Sequence, residues 1–144
     1  METFRIMLVE DNPGDVYLLK LALKNVGIEC ELIAFTDGAE ALKFVLSQGE
    51  DAARLLPHLA VLDMNLPKKS GTEVLEAMRR GEEFAKVPVV MMSSSASPHD
   101  QAKTKQFGGT WYLTKPGDLK GYLKIGETLK EILADSRAAS PASE

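Results

Sequence analysis

The sequence predicts an α/β domain in which helices cover both faces of a parallel sheet. Two observations lead to this fold class. Short, continuous apolar runs occur along the 144 residues, and such runs are typical of strands buried on both faces. Segments with helical apolar spacing alternate with these runs. Because strands that alternate with helices form parallel sheets with right-handed crossovers, we expect a doubly wound, five-stranded sheet with five helices.

Five segments are predicted to form the strands. Three of them are continuous apolar runs, and the second and fifth are weaker candidates. In chain order the segments are Ile6–Val9, Cys30–Phe35, Leu59–Leu62, Val87–Met92 and Thr110–Leu113. All are short enough to be strands of an ordinary sheet.

The predicted helices begin at recognisable cap residues. Asp37 and Ser70 each stand three residues before a glutamate, which is the spacing of a capping box. Ser97 directly precedes a proline, and proline is favoured at the first helical position. Asp118 can cap the last helix, which is predicted to run to about Ala134.

Length and composition indicate one domain. The composition, 44% hydrophobic and 26% charged residues, is that of an ordinary globular domain. We place this domain at residues 1–134 and expect the small, polar segment 135–144 to be a disordered tail. The single cysteine excludes an internal disulfide, and neither a signal peptide nor a membrane span is recognisable, so a cytoplasmic location is expected. The net charge of −4 disfavours direct nucleic-acid binding.

Charged and hydroxyl side chains follow four of the predicted strands. In chain order they are Glu10, Asp11, Asp63, Ser93 and Lys115. In open α/β sheets the ligand site lies at the carboxyl ends of the strands, so these side chains are expected in one cleft. Asp63 ends a dry apolar strand, where a carboxylate needs a partner, a metal ion or a shifted pKa.

The carboxylates in this cleft predict a cation. Glu10, Asp11 and Asp63 would repel one another without it, and their oxygens suit Mg²⁺. A carboxylate can attack a phosphoryl group to form an aspartyl-phosphate. Lys115 would then neutralise one phosphoryl oxygen, and the Ser93 hydroxyl would donate to another. A cis peptide bond between Lys115 and the proline that follows it would turn the ammonium into the cleft.

This set of residues at successive strand ends resembles the receiver domain of response regulators in bacterial two-component signalling, the CheY-like family. The resemblance covers about Phe4 to Leu133. It implies a flavodoxin-like sheet of order 2-1-3-4-5 and a phosphoryl group that passes from a histidine kinase to Asp63, which switches partner binding. It implies self-phosphorylation and autodephosphorylation, but no turnover of external substrates.

The resemblance also implies a role for each residue at the phosphoacceptor. Asp63 accepts the phosphoryl group. Glu10, Asp11, Asp63 and the backbone carbonyl of Asn65 hold Mg²⁺, for which Mn²⁺ can substitute.

Further residues are implied to bind phosphate or to relay its presence. Ser93 and Lys115 contact the phosphoryl oxygens, and Tyr112 takes the position of an aromatic switch on the fifth strand. Asn65 and Ser95 flank the path of water to the acyl phosphate and modulate the rate of dephosphorylation.

A narrower resemblance concerns the signalling partners. The opening Leu-Val-Glu-Asp-Asn-Pro-Gly-Asp and the long segment before the third strand are similar to single-domain regulators that partner phytochrome-type histidine kinases. On the first helix, Tyr17 and Leu21 lie outside the inward apolar face and are candidates for kinase docking. The signal would leave through a downstream protein or a phosphorelay, and a homodimer through the fourth helix, fifth strand and fifth helix is a further expectation.

Three other functions stay open on the sequence. A magnesium-dependent phosphatase with an aspartate nucleophile usually carries an acid two residues later, where Asn65 cannot act as a general acid. A flavodoxin-like module that binds anions is disfavoured by Glu10 and Asp11. A receiver-like module that binds partners without phosphorylation is disfavoured by the intact residue set.

Overall fold

The computed structural model describes residues 3–47, 56–66, 68–81, 83–94 and 98–142, with side chains described as far as residue 135. The strands are β1 (Phe4–Val9), β2 (Cys30–Phe35), β3 (Leu59–Asp63), β4 (Val89–Ser93) and β5 (Thr110–Thr114). The helices are α1 (Pro13–Asn25), α2 (Gly38–Leu46), α3 (Gly71–Arg80), α4 (Pro98–Lys105) and α5 (Leu119–Ala142), with a 3₁₀ turn at Phe84–Lys86. No helix within these ranges is both long and apolar enough to cross a membrane.

The strands form one parallel sheet of order β2-β1-β3-β4-β5, as predicted. Every residue of β3 and β4 is buried, which explains their continuous apolar sequence. The edge strands β2 and β5 contain partly exposed residues, so their sequence pattern is weaker. The strands that carry the clearest apolar signal are therefore the ones at the centre of the sheet.

Two apolar layers cover the sheet. Because side chains alternate along a strand, Ile6 and Leu8 of β1 face one layer, and Met7 and Val9 face the other. The first layer contains the buried faces of α1 and α5, and the second contains those of α2 and α3. The sheet is thus covered on both sides, and its carboxyl edge is left for polar residues.

The helix starts follow the predicted caps. The side chains of Asp37 and Asp118 each accept a hydrogen bond from the backbone N–H three residues later, at 2.8 and 2.9 Å. Ser70 and Glu73 form a reciprocal capping box at the start of α3. Helix α4 begins directly after Ser97, which itself lies outside the described residues.

Helix α5 is longer than predicted. It continues to Ala142, so the predicted end at about Ala134 is wrong. The added segment contains Ala138 and Ala139, and alanine has the highest helix propensity, so a helix already held by its packed part can continue through it. The domain boundary at residue 134 stays a prediction.

Gly126 lies where α5 crosses α1. A Cβ atom at this position would lie 2.6 Å from the backbone carbonyl oxygen of Ala22. Glycine normally weakens a helix interior, but here its missing side chain allows the two helix backbones to approach. The close contact therefore explains a residue that lowers the local helix propensity.

Replacing Gly126 with alanine is expected to destabilise the protein, although alanine is the better helix former. We expect the free energy of unfolding to fall by about 1–3 kcal/mol, because the new methyl group forces α5 away from α1. Urea denaturation measures this loss. The exposed neighbour provides the control, since Glu127→Ala should change stability by less than about 0.5 kcal/mol. A Gly126→Ala protein as stable as the wild type would contradict the close-contact explanation.

Candidate functional site

The polar residues at the strand ends lie together at the carboxyl edge of the sheet. Glu10 follows β1, Asp63 ends β3, Ser93 ends β4, and Lys115 follows β5. Glu10, Asp63 and Ser93 are buried. Lys115 contacts each of the other three residues, so the structure brings these four residues together in one cleft, as expected.

The Lys115 ammonium lies at the centre of the site. Its Nζ atom is 2.8 Å from Glu10 Oε1, 3.1 Å from Asp63 Oδ2 and 3.1 Å from Asp15 Oδ2. An ammonium has three donors, and three carboxylates surround it. Burial alone would lower the pKa of Lys115, but hydrogen bonds to the carboxylates outweigh it and raise the pKa above its usual value.

Asp15 is a partner of Lys115 to which the sequence analysis assigned no role. It stands in the first turn of α1, where Asn12 is the N-cap and accepts from the backbone N–H groups of Gly14 (2.8 Å) and Asp15 (3.2 Å). The N–H of Asn12 in turn donates to Glu10 Oε2 at 3.1 Å. The signal in the sequence was the cap spacing Asn-Pro-Gly-Asp, which places the acid in the first helical turn.

Glu10 carries a carboxyl group in a strongly perturbed environment. Its pKa is raised to about 7, because burial and the nearby charge of Asp63 raise it by more than the hydrogen bond from Lys115 lowers it. Its two oxygens have different partners, since Oε1 contacts Lys115 and Oε2 accepts from the loop backbone. The loop after β1 therefore holds this carboxylate in a fixed direction.

Asp63 is also held by both of its oxygens. Oδ1 accepts from the backbone N–H of Asn65 at 3.0 Å, and Oδ2 contacts Lys115. Gly71 begins α3 in close contact with this strand end. A Cβ atom at Gly71 would lie only 2.2 Å from the Asp63 carbonyl oxygen. The buried carboxylate is thus fixed by its own loop on one side and by the ammonium on the other.

Three carboxylates form an acidic cluster suited to a divalent cation. Glu10, exposed Asp11 and Asp63 each offer an oxygen atom, and these oxygens all lie within 4.8 Å of one another. Oxygen ligands alone are the preference of hard divalent ions. The cluster contains the carboxylates that the sequence predicted for a metal site.

Ser93 ends β4, the strand next to Asp63, and Tyr112 lies on β5, one strand farther out. Ser93 is completely buried, and its backbone carbonyl accepts from the N–H of Lys115 at 2.7 Å. Tyr112 is half-buried and packs against the layer beneath α2 and α3.

The described residues contain no cis peptide bond, so the predicted cis bond after Lys115 is wrong. The lysine side chain reaches the carboxylates from a trans peptide.

The remaining predicted residues that the structure describes differ in exposure. Asn65 is exposed in the loop after Asp63, and Ser95 lies outside the described residues. On α1, the side chain of Tyr17 is 62% exposed, whereas Leu21 is half-buried. Tyr17 therefore offers more accessible surface than Leu21 does.

Comparison with known proteins gives a family for the chain. The model of the response regulator receiver domain matches residues 6–125. Response regulator Rcp1 of Synechocystis sp. is 38% identical over 120 residues, which cover 83% of this chain and 82% of that protein.

Two solved structures share the fold along most of the chain. The phosphorylated cyanobacterial phytochrome response regulator RcpA has a TM-score of 0.81 at 33% identity, covering 92% of this chain and 95% of that one. The Mn²⁺-bound form of Rcp1 has a TM-score of 0.77 at 35% identity, covering 88% and 91%. The family match spans well over half of the sequence and agrees with the strand order and the polar edge described above. This chain belongs to the response regulator receiver domain family.

Proposed function

We propose that this protein accepts a phosphoryl group on Asp63 from a histidine kinase and passes the signal on by protein contact. The observation that carries this proposal is the pairing of buried Asp63 with Lys115 at the end of the central strand β3. A buried carboxylate beside a fixed ammonium and an acidic cluster matches what transfer of a phosphoryl group to a carboxylate requires.

The transfer follows from the positions of the side chains. An oxygen of Asp63 attacks phosphorus and forms the new O–P bond. The bond from phosphorus to the donor breaks, and its electron pair leaves with the donor. Lys115 offers positive charge to one phosphoryl oxygen, and the Ser93 hydroxyl donates to another. To Asn65 and Ser95 we assign the role that the family resemblance implies, which is to modulate how long the acyl phosphate survives.

The acidic cluster fits a divalent cation, and we assign Mg²⁺ to it, with Mn²⁺ as a substitute. The donors are the carboxylates of Glu10, Asp11 and Asp63, together with the backbone carbonyl of Asn65. A cation bound there supplies the positive charge that offsets these carboxylates and the incoming phosphoryl oxygens. The oxygen-only cluster and the Mn²⁺-bound structure of the relative Rcp1 support this assignment.

The relatives suggest the class of kinase. RcpA is described as a phytochrome response regulator, and we extend this to a phytochrome-type histidine kinase as the partner of this chain. Tyr17 and Leu21 on α1 are the docking candidates. Ser93 and Tyr112 would carry the change to the face formed by α4, β5 and α5, which would bind a downstream protein, a phosphorelay partner or a second copy of this chain.

Labelling with a small phosphodonor tests the phosphoacceptor. Incubated with acetyl phosphate and Mg²⁺, the wild-type protein should gain one labile phosphoryl group by intact mass, and Asp63→Asn should gain none. The exposed Asp135 provides a matched control, since Asp135→Asn should be labelled like the wild type. Undiminished labelling of Asp63→Asn, or steady hydrolysis of general phosphomonoesters, would contradict the proposal.

Lys115→Met should make the stability of the protein depend more strongly on Mg²⁺. Without the ammonium, three carboxylates repel one another, so the metal-free variant should lose about 3 kcal/mol of unfolding free energy. Part of this loss should disappear at saturating Mg²⁺, because a cation restores the charge balance and binds only the folded state.

Urea unfolding with and without Mg²⁺ measures both effects. The exposed Lys130 on α5 provides the control, and Lys130→Met should change stability little in either condition. Equal losses for Lys115→Met with and without Mg²⁺ would show that the ammonium does not share its carboxylates with a metal site.

A further inference from the structure

A chain of polar groups leads from the site into the core. Tyr122 of α5 is only 2% exposed, and its phenol lies beside the carboxylate of Asp15, whose charge and hydrogen bonding raise the pKa of Tyr122. Burial is the largest cause that raises the pKa of Tyr122, followed by the charge of Asp15. The phenol is therefore a neutral donor, and the buried hydroxyl has a defined partner.

Asp15 connects this phenol to Lys115. Its Oδ2 atom is 3.1 Å from Lys115 Nζ, and its side chain is 22% exposed. Its backbone is fixed separately, because the Asn12 cap accepts from the Asp15 N–H. Asp15 is thus held from the backbone by the first turn of α1 and from the side chain by α5.

The geometry separates Asp15 from the acidic cluster. The cluster whose oxygens lie within 4.8 Å of one another contains Glu10, Asp11 and Asp63, and Asp15 is not a member. Two of the three carboxylates around the ammonium, Glu10 and Asp63, therefore belong to that cluster as well. Asp15 therefore contacts Lys115 but does not belong to the acidic cluster.

We propose that Asp15 and Tyr122 are positioning residues that hold Lys115 in place for phosphoryl transfer. This inference rests on the proposed function and adds the device that orients its lysine. When Glu10 and Asp63 engage a cation and a phosphoryl group, Asp15 remains as a fixed partner of the ammonium. Tyr122 keeps the Asp15 carboxylate turned toward the site, which limits the motion of a flexible four-carbon stem.

The test measures the rate constant for phosphorylation by acetyl phosphate at saturating Mg²⁺. Asp15→Asn should lower it about tenfold, as expected when a charge-assisted hydrogen bond to the ammonium is weakened. Tyr122→Phe, which keeps the ring and all formal charges, should lower it about threefold. The double variant should be no slower than Asp15→Asn alone, because Tyr122 acts through Asp15.

Repeating both substitutions in a Lys115→Met background separates positioning from general damage. There, neither substitution should change the rate further, because the residue being positioned is gone. Thr128→Val provides the matched control for Tyr122→Phe, since it removes from the same helix a hydroxyl that donates to the Lys124 carbonyl. This control should match the wild-type rate.

Three results would overturn the inference. Unchanged rates in Asp15→Asn and Tyr122→Phe, with a wild type that is phosphorylated, would overturn the positioning role alone. Equal slowing with and without Lys115 would do the same, whereas a wild type that gains no phosphoryl group would overturn the proposed function as well. If Asp15→Asn does not fold by circular dichroism, the near-isosteric Tyr122→Phe carries the test.

Discussion

The site depends on one ammonium group shared by carboxylates from three parts of the fold. Lys115 follows β5, Glu10 and Asp63 come from β1 and β3, and Asp15 comes from α1. Carboxylates this close and this poorly hydrated would repel one another without a cation, and a buried unpaired charge is costly. The elements must therefore meet within hydrogen-bond distance, and this requirement links the sheet order, the cap of α1 and the loop after β5.

The sheet order explains why a long side chain is needed at residue 115. β4 lies between β3 and β5, so the partner of Asp63 must reach across one strand. The register pairs Ser93 with Thr114, which places Lys115 one residue beyond the end of β4. Its N–H is fixed by the Ser93 carbonyl, and its four-carbon stem covers the remaining distance to the carboxylates. Ser93 thereby shapes the site through its backbone.

The residues predicted from the sequence are those whose positions follow from the ends of strands. Parallel strands end at one edge, so Glu10, Asp63 and Lys115 meet whatever the details of the loops. The pairing of Asp15 with Lys115 depends instead on the direction of the first turn of α1. Tyr122 has the spacing of an apolar helix face, and nothing in that spacing shows where its hydroxyl points. Contacts between distant segments, including the glycine contact of α5 with α1, require the folded arrangement.

The backbone around Asp63 limits which groups can respond to a phosphoryl group. Gly71, the first residue of α3, packs against the Asp63 carbonyl. A Cβ at Gly38, the first residue of α2, would lie 1.8 Å from the Lys69 carbonyl oxygen, so the described part of the loop from β3 to α3 is closely packed at both points. A loop packed this closely has little space to shift. Ser93 ends β4 and Lys115 follows β5, and the Lys115 N–H donates to the Ser93 carbonyl at 2.7 Å. If Asp63 is phosphorylated as proposed, we expect the change in charge to be transmitted through Ser93 and Lys115 toward β5, with Asp15 of α1 holding the lysine.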